Sequence, residues 1–338
     1  MQITKHTFAI NPDNMRERLL KPPTHAEFIV LSAVSVVAAC FAYLLTQGMA
    51  FAVDYGVFLE AVDGDYTGFF YAPWSLPIFT VLNWLPLPIS YFIWNMINIL
   101  LLWIAVRVFG GNLPITMIGY QMIYCLFYGQ IVGLLAGVIA LFWVALLHRR
   151  FVIAGLLLTI AAIKPQFGVP MAVALLLLTD MTWWHRFKVV VISLVPAILS
   201  LLLYPNFIVD VYQAYLETPP NTFGSISLWR YIGAGALLLW IPTLTLPMSF
   251  GRRLVAILAT TALSSPYFQQ TDLLLLYAMP IGWVGLLGNV GFLMGRFGWW
   301  ALRLPIIVPL IVYIWVLVTP IQQQIQGWRK IPQSSKAL

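Results

Sequence analysis

The sequence predicts an all-α polytopic integral membrane protein, and three observations predict it. Hydrophobic residues make up 61% of the 338-residue chain and charged residues only 9%. Mean hydropathy is +0.90, and apolar runs of helix-spanning length recur along the chain. Those runs are continuous rather than alternating, which excludes a β-barrel.

Residues 1–27 form a polar, charged segment expected on the cytoplasmic side. It is too long and mixed for a signal n-region and shows no small-residue cleavage site, so the first apolar run reads as a retained helix. A single transmembrane domain is expected over 28–320, with a polar tail at 321–338. Within it, apolar runs fall near 28–47, 78–106, 113–128, 132–147, 151–163, 166–179, 188–204, 231–247, 254–264, 273–293 and 301–319. Several are shorter than the roughly 20 residues a crossing needs, so some are tilted, broken or partly inserted. The second run contains Pro86 and Pro88 and reads as a re-entrant piece followed by a true helix. Cys40 and Cys125 lie inside apolar runs and read as packed thiols, not a disulfide framework or a metal site.

A net charge of +7 suggests nucleic acid or anionic lipid as a partner, but its distribution argues for topology instead. Lys5, Arg16, Arg18 and Lys21 precede the first run. Arg107, the Arg149-Arg150 pair, Arg186 with Lys188, the Arg252-Arg253 pair, and Arg296 with Arg303 then fall on alternate links. By the positive-inside rule these links are cytoplasmic. Lys164 and Arg230 fall on the other face, and Arg329, Lys330 and Lys336 break the alternation if all eleven runs cross. The outer face then collects the Asp54 loop, Tyr128-Gly129-Gln130, Lys164-Pro165-Gln166, the 205–230 loop and the stretch from Ser264 to Asp272. His6, His25, His148 and His185 all fall on the cytoplasmic side, which removes His-ligated zinc and imidazole acid–base chemistry from an outer-face site. No nucleic-acid partner is expected.

Between Gly48 and Pro77 the chain carries Asp54, Glu60, Asp63 and Asp65 and no lysine or arginine. A carboxylate at a membrane edge is costly unless solvated, paired or used. Asp54 stands closest to the helix end and is the first candidate for a general base, whereas Glu60 reads as a solvated face. Tyr55, Phe58 and Leu59 are placed to lie on the membrane surface. Asp63-Gly64-Asp65 has the spacing by which two carboxylates hold a divalent cation on a substrate phosphate, the metal-dependent alternative. Phe70 to Pro77 is an aromatic–proline return into the membrane. Lys164 interrupts an apolar region, where an ammonium either snorkels or serves as a point charge for a phosphate. Arg230 is placed to add a bidentate contact or to pair with headgroups. Asp272 opens the tenth run and is explained as a helix N-cap, a role compatible with substrate binding.

Read together, Asp54-Tyr55, the segment YAPWSLPIFTVLNWLPLP, Tyr128-Gly129-Gln130, AGLLLTIAAIKPQFGVPMAVALLL and SSPYFQQTDLLLL resemble the polyprenyl-phosphate-sugar-dependent glycosyltransferases of the GT-C fold. The nearest likeness is to glycosyltransferase family 87, which includes mycobacterial mannosyltransferases acting on phosphatidylinositol mannosides. The likeness runs from about residue 28 to 290 and rests on the ordered set rather than on any single motif. It implies a bundle of about 10–12 transmembrane helices and a site on the non-cytoplasmic face of a bacterial cell membrane, in the cell envelope. It places the family's acidic base on Asp54, a partial tyrosine–proline match on Tyr71-Ala72-Pro73, the GQ pair on Gly129-Gln130 and the lysine–proline on Lys164-Pro165. Where the mannosyltransferase branch has a histidine-containing motif, this chain has Tyr267 to Asp272, so mannose is not assumed.

The expected activity is therefore transfer of a mannose-like hexose from a polyprenyl-phosphate sugar to a lipid or glycan acceptor, with inversion. Asp54 is the expected base, and Lys164 with Arg230 the donor-phosphate ligands. Tyr55, Tyr71, Gln130, Gln166, Gln269 and Asp272 are the expected substrate contacts. No cofactor is required, because a monophosphate leaving group already carries its charge. The alternative is a polytopic lipid or sugar transporter or flippase, which also fits many helices and proline breaks.

Overall fold

The computed structural model describes residues 12–217, 224–295 and 298–329; Lys5, His6, Pro219, Pro220, Arg296, Lys330 and Lys336 lie outside the described residues. The described chain is helical, with one isolated bridge, Ser225 to Gln269, in place of a sheet. Helix α1 (Pro12–Leu20) precedes α2 (His25–Thr46). The latter begins at a capping box in which the Thr24 hydroxyl accepts from the Glu27 amide and the Glu27 carboxylate accepts from the Thr24 amide. A short helix, α3 (Val53–Val62), follows outside the span.

The expected break at Pro86 is present. It separates α4 (Leu76–Asn83) from α5 (Leu87–Phe109), a full-length helix with Pro88 in its first turn. The third run divides at Gly119 into α6 (Leu113–Ile118) and α7 (Tyr120–Tyr128). Helix α8 (Val132–Leu147) is bent 109° from α7. Then come α9 (Phe151–Ala161), α10 (Pro165–Leu178), α11 (Trp183–Leu203) and α12 (Phe207–Glu217). The run at 231–247 is not one helix. It is α13 (Trp229–Ile232), a 3-10 stretch over Gly233–Leu239 and α14 (Trp240–Thr245). Helix α15 (Phe250–Ser264) is regular, whereas 273–293 holds only α16 (Leu274–Tyr277), a 3-10 stretch over Gly282–Asn289 and α17 (Val290–Leu293). The last helix, α18 (Ile307–Arg329), continues past residue 320 into the expected tail.

Among the described residues four helical segments are long and apolar enough to cross a membrane: α2, α5, α11 and Ala301–Val318. A fifth arises if the bent α7–α8 pair counts as one span. The protein is thus an all-α polytopic membrane protein. The full-length helices are fewer than the eleven apolar runs, because glycine and proline breaks divide several runs into short helices.

Helix α5 packs on α2 and α8, α8 on α9, α9 on α11, α10 on α15, and α15 on α18. The ends of α5 and α8 meet the start of α15, so the basic links beside them gather at one end. Stacking of Phe109 on Trp143 (5.9 Å) and of Trp143 on Phe250 (5.2 Å) ties that end together. The cations there also satisfy helix carbonyls. Arg186 donates to the Leu176 carbonyl at the end of α10 (2.8 Å), and Arg253 donates to the Leu246 carbonyl after α14 (2.8 Å). Arg107 donates to Glu27 at 2.8 Å, to the Arg18 carbonyl in α1 and to the Pro22 carbonyl in the α1–α2 link. The opposite end holds the breaks at Gly129, Lys164 and Ser265, and these build the site.

Candidate active site

The first wall depends on how α7 ends. Gly129 closes that helix in the left-handed region (φ 71°), and a Cβ there would lie 2.6 Å from the Cβ of Tyr55. Glycine is therefore required by conformation and by space. The carbonyls left over by the break are taken by α5. Tyr91 donates to Phe127 at 3.0 Å, Trp94 to Gly129 at 2.8 Å and Asn95 to Leu126 at 3.3 Å. This bracing turns Gln130 toward the start of α3. There Ala52, itself left-handed at φ 62°, donates its amide to the Phe127 carbonyl (3.1 Å). Asp54 stands in the first turn of α3, and its Oδ2 accepts from Gln130 Nε2 at 2.6 Å. An ionised carboxylate only accepts, so the amide nitrogen of Gln130 faces it.

The second wall comes from the α9–α10 turn. Proline at 165 suits the first position of α10, and Gly168 lets α10 approach α9 so closely that a Cβ would collide with the Ala161 carbonyl. Lys164 is held between the two helices, and its ammonium meets Asp272 Oδ1 at 2.5 Å. Lys164 is 3% exposed and Asp272 0%. The other oxygen, Oδ2, accepts the amide of Gln269 at 2.9 Å. Asp272 is thus not the N-cap expected from sequence. Gln269 holds that position, and Asp272, three residues on, caps backward onto it.

These walls enclose a cavity of about 600 Å³. Asp54, Tyr71, Gln130, Lys164, Gln166, Tyr267 and Gln269 line it, with Tyr124, Tyr128, Tyr215 and Phe70 adding aromatic surface. Burial pushes the Asp54 carboxyl up from the ordinary 3.8 to about 6. The Lys164 charge and the Gln130 hydrogen bond oppose that rise, and the Asp272 charge reinforces it. Burial, with the Asp54 and Asp272 charges, pushes the Tyr71 and Tyr267 hydroxyls up, so both stay neutral donors. A larger hollow of about 730 Å³ between α8 and α9 lies at the basic end and has no acidic lining residue. The Asp54 cavity, by contrast, combines a shielded carboxylate with a buried cation that both face its interior, so it is the candidate site.

Residues 69–328 match the family model of glycosyltransferase family 87. The chain belongs to glycosyltransferase family 87. It is accordingly a glycosyltransferase. The match contains Tyr71, Gln130, Lys164, Gln269 and Asp272 and begins after Asp54. No curated protein and no solved structure matches the chain.

In this family 87 chain, six of the residues singled out from sequence line one cavity: Asp54, Tyr71, Gln130, Lys164, Gln166 and Gln269. Asp272 stands behind Lys164 with both oxygens engaged. Tyr55 is not part of the lining. Instead of lying on a membrane surface, Tyr55 and Phe58 are fully buried, because α3 folds back onto Phe79, Tyr91 and Trp94. Arg230 is exposed on α13 and also stands outside the lining. Asp63 ends α3, and Asp65 accepts the Thr67 amide at 2.9 Å; neither lines the cavity. Among the described residues no group of three or more His, Cys, Asp or Glu is placed to hold a metal ion. Sequence reasoning missed Tyr124 and Tyr215. The i, i+4 spacing of Tyr124 and Tyr128 on α7 was the available signal for the first, and their rings lie 4.3 Å apart.

Proposed function

We propose that the protein transfers a hexose, mannose-like in kind, from a polyprenyl-phosphate sugar to a hydroxyl of a lipid or glycan acceptor, with inversion at the anomeric carbon. The observation that carries this reading is the placement of a shielded carboxylate, Asp54, and a buried ammonium, Lys164, on one cavity. Asp54 Oδ2 is held by Gln130, which leaves Oδ1 to take the acceptor proton. The acceptor oxygen then bonds to the anomeric carbon as the bond from that carbon to the phosphate oxygen breaks, and polyprenyl phosphate departs. One Lys164 proton is engaged by Asp272, and the ammonium directs its remaining donors at the phosphate as charge develops there. Gln166, Gln269 and the tyrosine hydroxyls supply hydrogen bonds that orient the sugar.

The orientation of the basic helix ends under the positive-inside rule favours a cavity on the non-cytoplasmic face, with the N-terminus cytoplasmic. Purified protein incubated with a panel of polyprenyl-phosphate sugars and a lipid extract, followed by mass spectrometry, tests the function. A new glycolipid with one donor, absent with Asp54→Asn, is the expected result. Movement of labelled sugar lipid across a vesicle bilayer with no new product contradicts it and favours transport.

A further inference from the structure

Helix α12 is too short to span a bilayer. Its 11 residues cover about 16 Å at 1.5 Å per residue, roughly half the hydrocarbon thickness. One side of it is fixed to the protein. Phe207 packs against Tyr66 (5.2 Å) and Phe69 (6.0 Å), and Ala214 is buried. Tyr215 lines the Asp54 cavity and meets Phe70 edge-on at 6.1 Å. A second stripe is apolar and uncovered: Ile208, Val209, Tyr212 and Leu216 are each more than half exposed. The positions 208, 212 and 216 fall one turn apart, so they share a face.

That stripe continues an apolar surface that begins on a membrane span. Helix α11 is one of the membrane-length helices and the least buried of them. Leu199, Leu202 and Leu203 at its end are exposed, and only Tyr204 to Asn206 separate it from α12. Four large apolar side chains facing water are unfavourable in proportion to the area they expose, and the same surface is favourable in a bilayer interface. Asp210 and Glu217 are the charged residues of α12, and it has no lysine or arginine. Its hold on lipid is therefore apolar, without attraction to anionic headgroups.

We infer that α12 lies in the bilayer interface as the lipid-side wall of the cavity, and that a lipid-borne substrate passes beside Tyr215 to reach Asp54. The bilayer itself is the partner of the exposed stripe. The entry route rests on the prenyl-lipid donor proposed above, whereas the placement of α12 does not.

Two measurements separate these statements. In protein carrying Cys40→Ser, single substitutions Tyr212→Cys, Leu216→Cys and Glu217→Cys are spin-labelled and reconstituted in phosphatidylcholine vesicles. Labels at 212 and 216 are expected to collide with oxygen in preference to a water-soluble nickel chelate, and the label at 217 to show the reverse, unchanged by salt. Nickel accessibility at 212 and 216 overturns the interfacial placement, whatever the enzyme's activity. Leu216→Asp, in vesicles, is then expected to raise KM on the order of tenfold for a long-chain polyprenyl-phosphate sugar and to leave KM for a short-chain, water-soluble analogue unchanged. Equal effects on both donors, or none on either, overturn the entry route. Lipid-facing labels in a protein that transfers sugar from no prenyl donor would overturn the proposed function and leave the placement of α12 standing.

Discussion

Lys164 and Asp272, 108 residues apart in sequence, form an ion pair of 2.5 Å in which neither side chain is more than 3% exposed. One carboxylate oxygen serves the lysine and the other serves the Gln269 amide. The pair therefore joins the α9–α10 turn to the segment before α16. Removing one partner leaves a buried charge without compensation and is expected to cost about 3–5 kcal/mol. Lys164→Met and Asp272→Leu should each lower the thermal unfolding temperature in detergent more than the double variant does. The double variant should recover stability and remain inactive, because the cation of the cavity is gone.

Two glycines predict opposite outcomes for the same substitution. At Gly168 an added Cβ meets the Ala161 carbonyl, which is backbone and cannot yield cheaply. Gly168→Ala is expected to destabilise by about 1–3 kcal/mol and to lower transfer by shifting Lys164. At Gly56, inside α3, nothing lies within 4 Å of the added atom. Gly56→Ala should leave stability unchanged or raise it by up to about 1 kcal/mol. Unfolding temperature and initial rate, measured side by side, check both.

The Asp54 carboxyl, raised by burial from 3.8 to about 6, sets a pH dependence. As a base it works only when ionised, so the rate is expected to rise with pH through about 6 and then level off. Stability runs the other way. Between 3.8 and about 6 the native carboxyl keeps a proton that the unfolded one has released. This group's contribution to stability is therefore lost as pH rises across that window and is constant above it. Gln130→Leu removes a hydrogen bond to the charged form, which should move the rate midpoint upward. The groups facing Asp54 that bear on this are Lys164, Asp272, Tyr71 and Tyr267. A pH–rate profile of both proteins tests the direction.

Much of the fold was legible because its signals are local. The break at Pro86, the start of α10 at Pro165 and the bend after Gly129 each follow from a residue whose backbone preference is fixed by its own chemistry. The gathering of Asp54, Gln130 and Lys164 was anticipated through charge alternation, since all three belong to links without basic clusters. The parts that could not be read depend on packing. Tyr55 looks like a surface residue in sequence but is roofed by α4 and α5. Asp272 looks like a cap, and only the arrival of Lys164 from 108 residues away makes it half of an ion pair. The runs at 231–247 and 273–293 carry span-like hydropathy but fold as short helices. Hydropathy reports a preference for apolar surroundings and does not show where glycine and proline break a run.

The acidic pair after α3 is expected to have no part in the reaction. Asp65 is committed to the Thr67 amide, and neither Asp63 nor Asp65 lines the cavity. The double variant Asp63→Asn with Asp65→Asn should keep its transfer rate within about twofold, and exhaustive chelation should not reduce the wild-type rate. Loss of transfer on chelation, restored by a divalent cation, would reinstate the metal-dependent alternative.

The role of Asp54 as base is tested by a single-turnover assay with a radiolabelled polyprenyl-phosphate sugar and a lipid acceptor, comparing wild-type protein with Asp54→Asn of equal unfolding temperature. A positioned general base contributes about 10²–10⁴ in rate. Labelled glycolipid is expected from the wild type, with a loss of that order in the variant. Transfer by folded Asp54→Asn at the wild-type rate would contradict it.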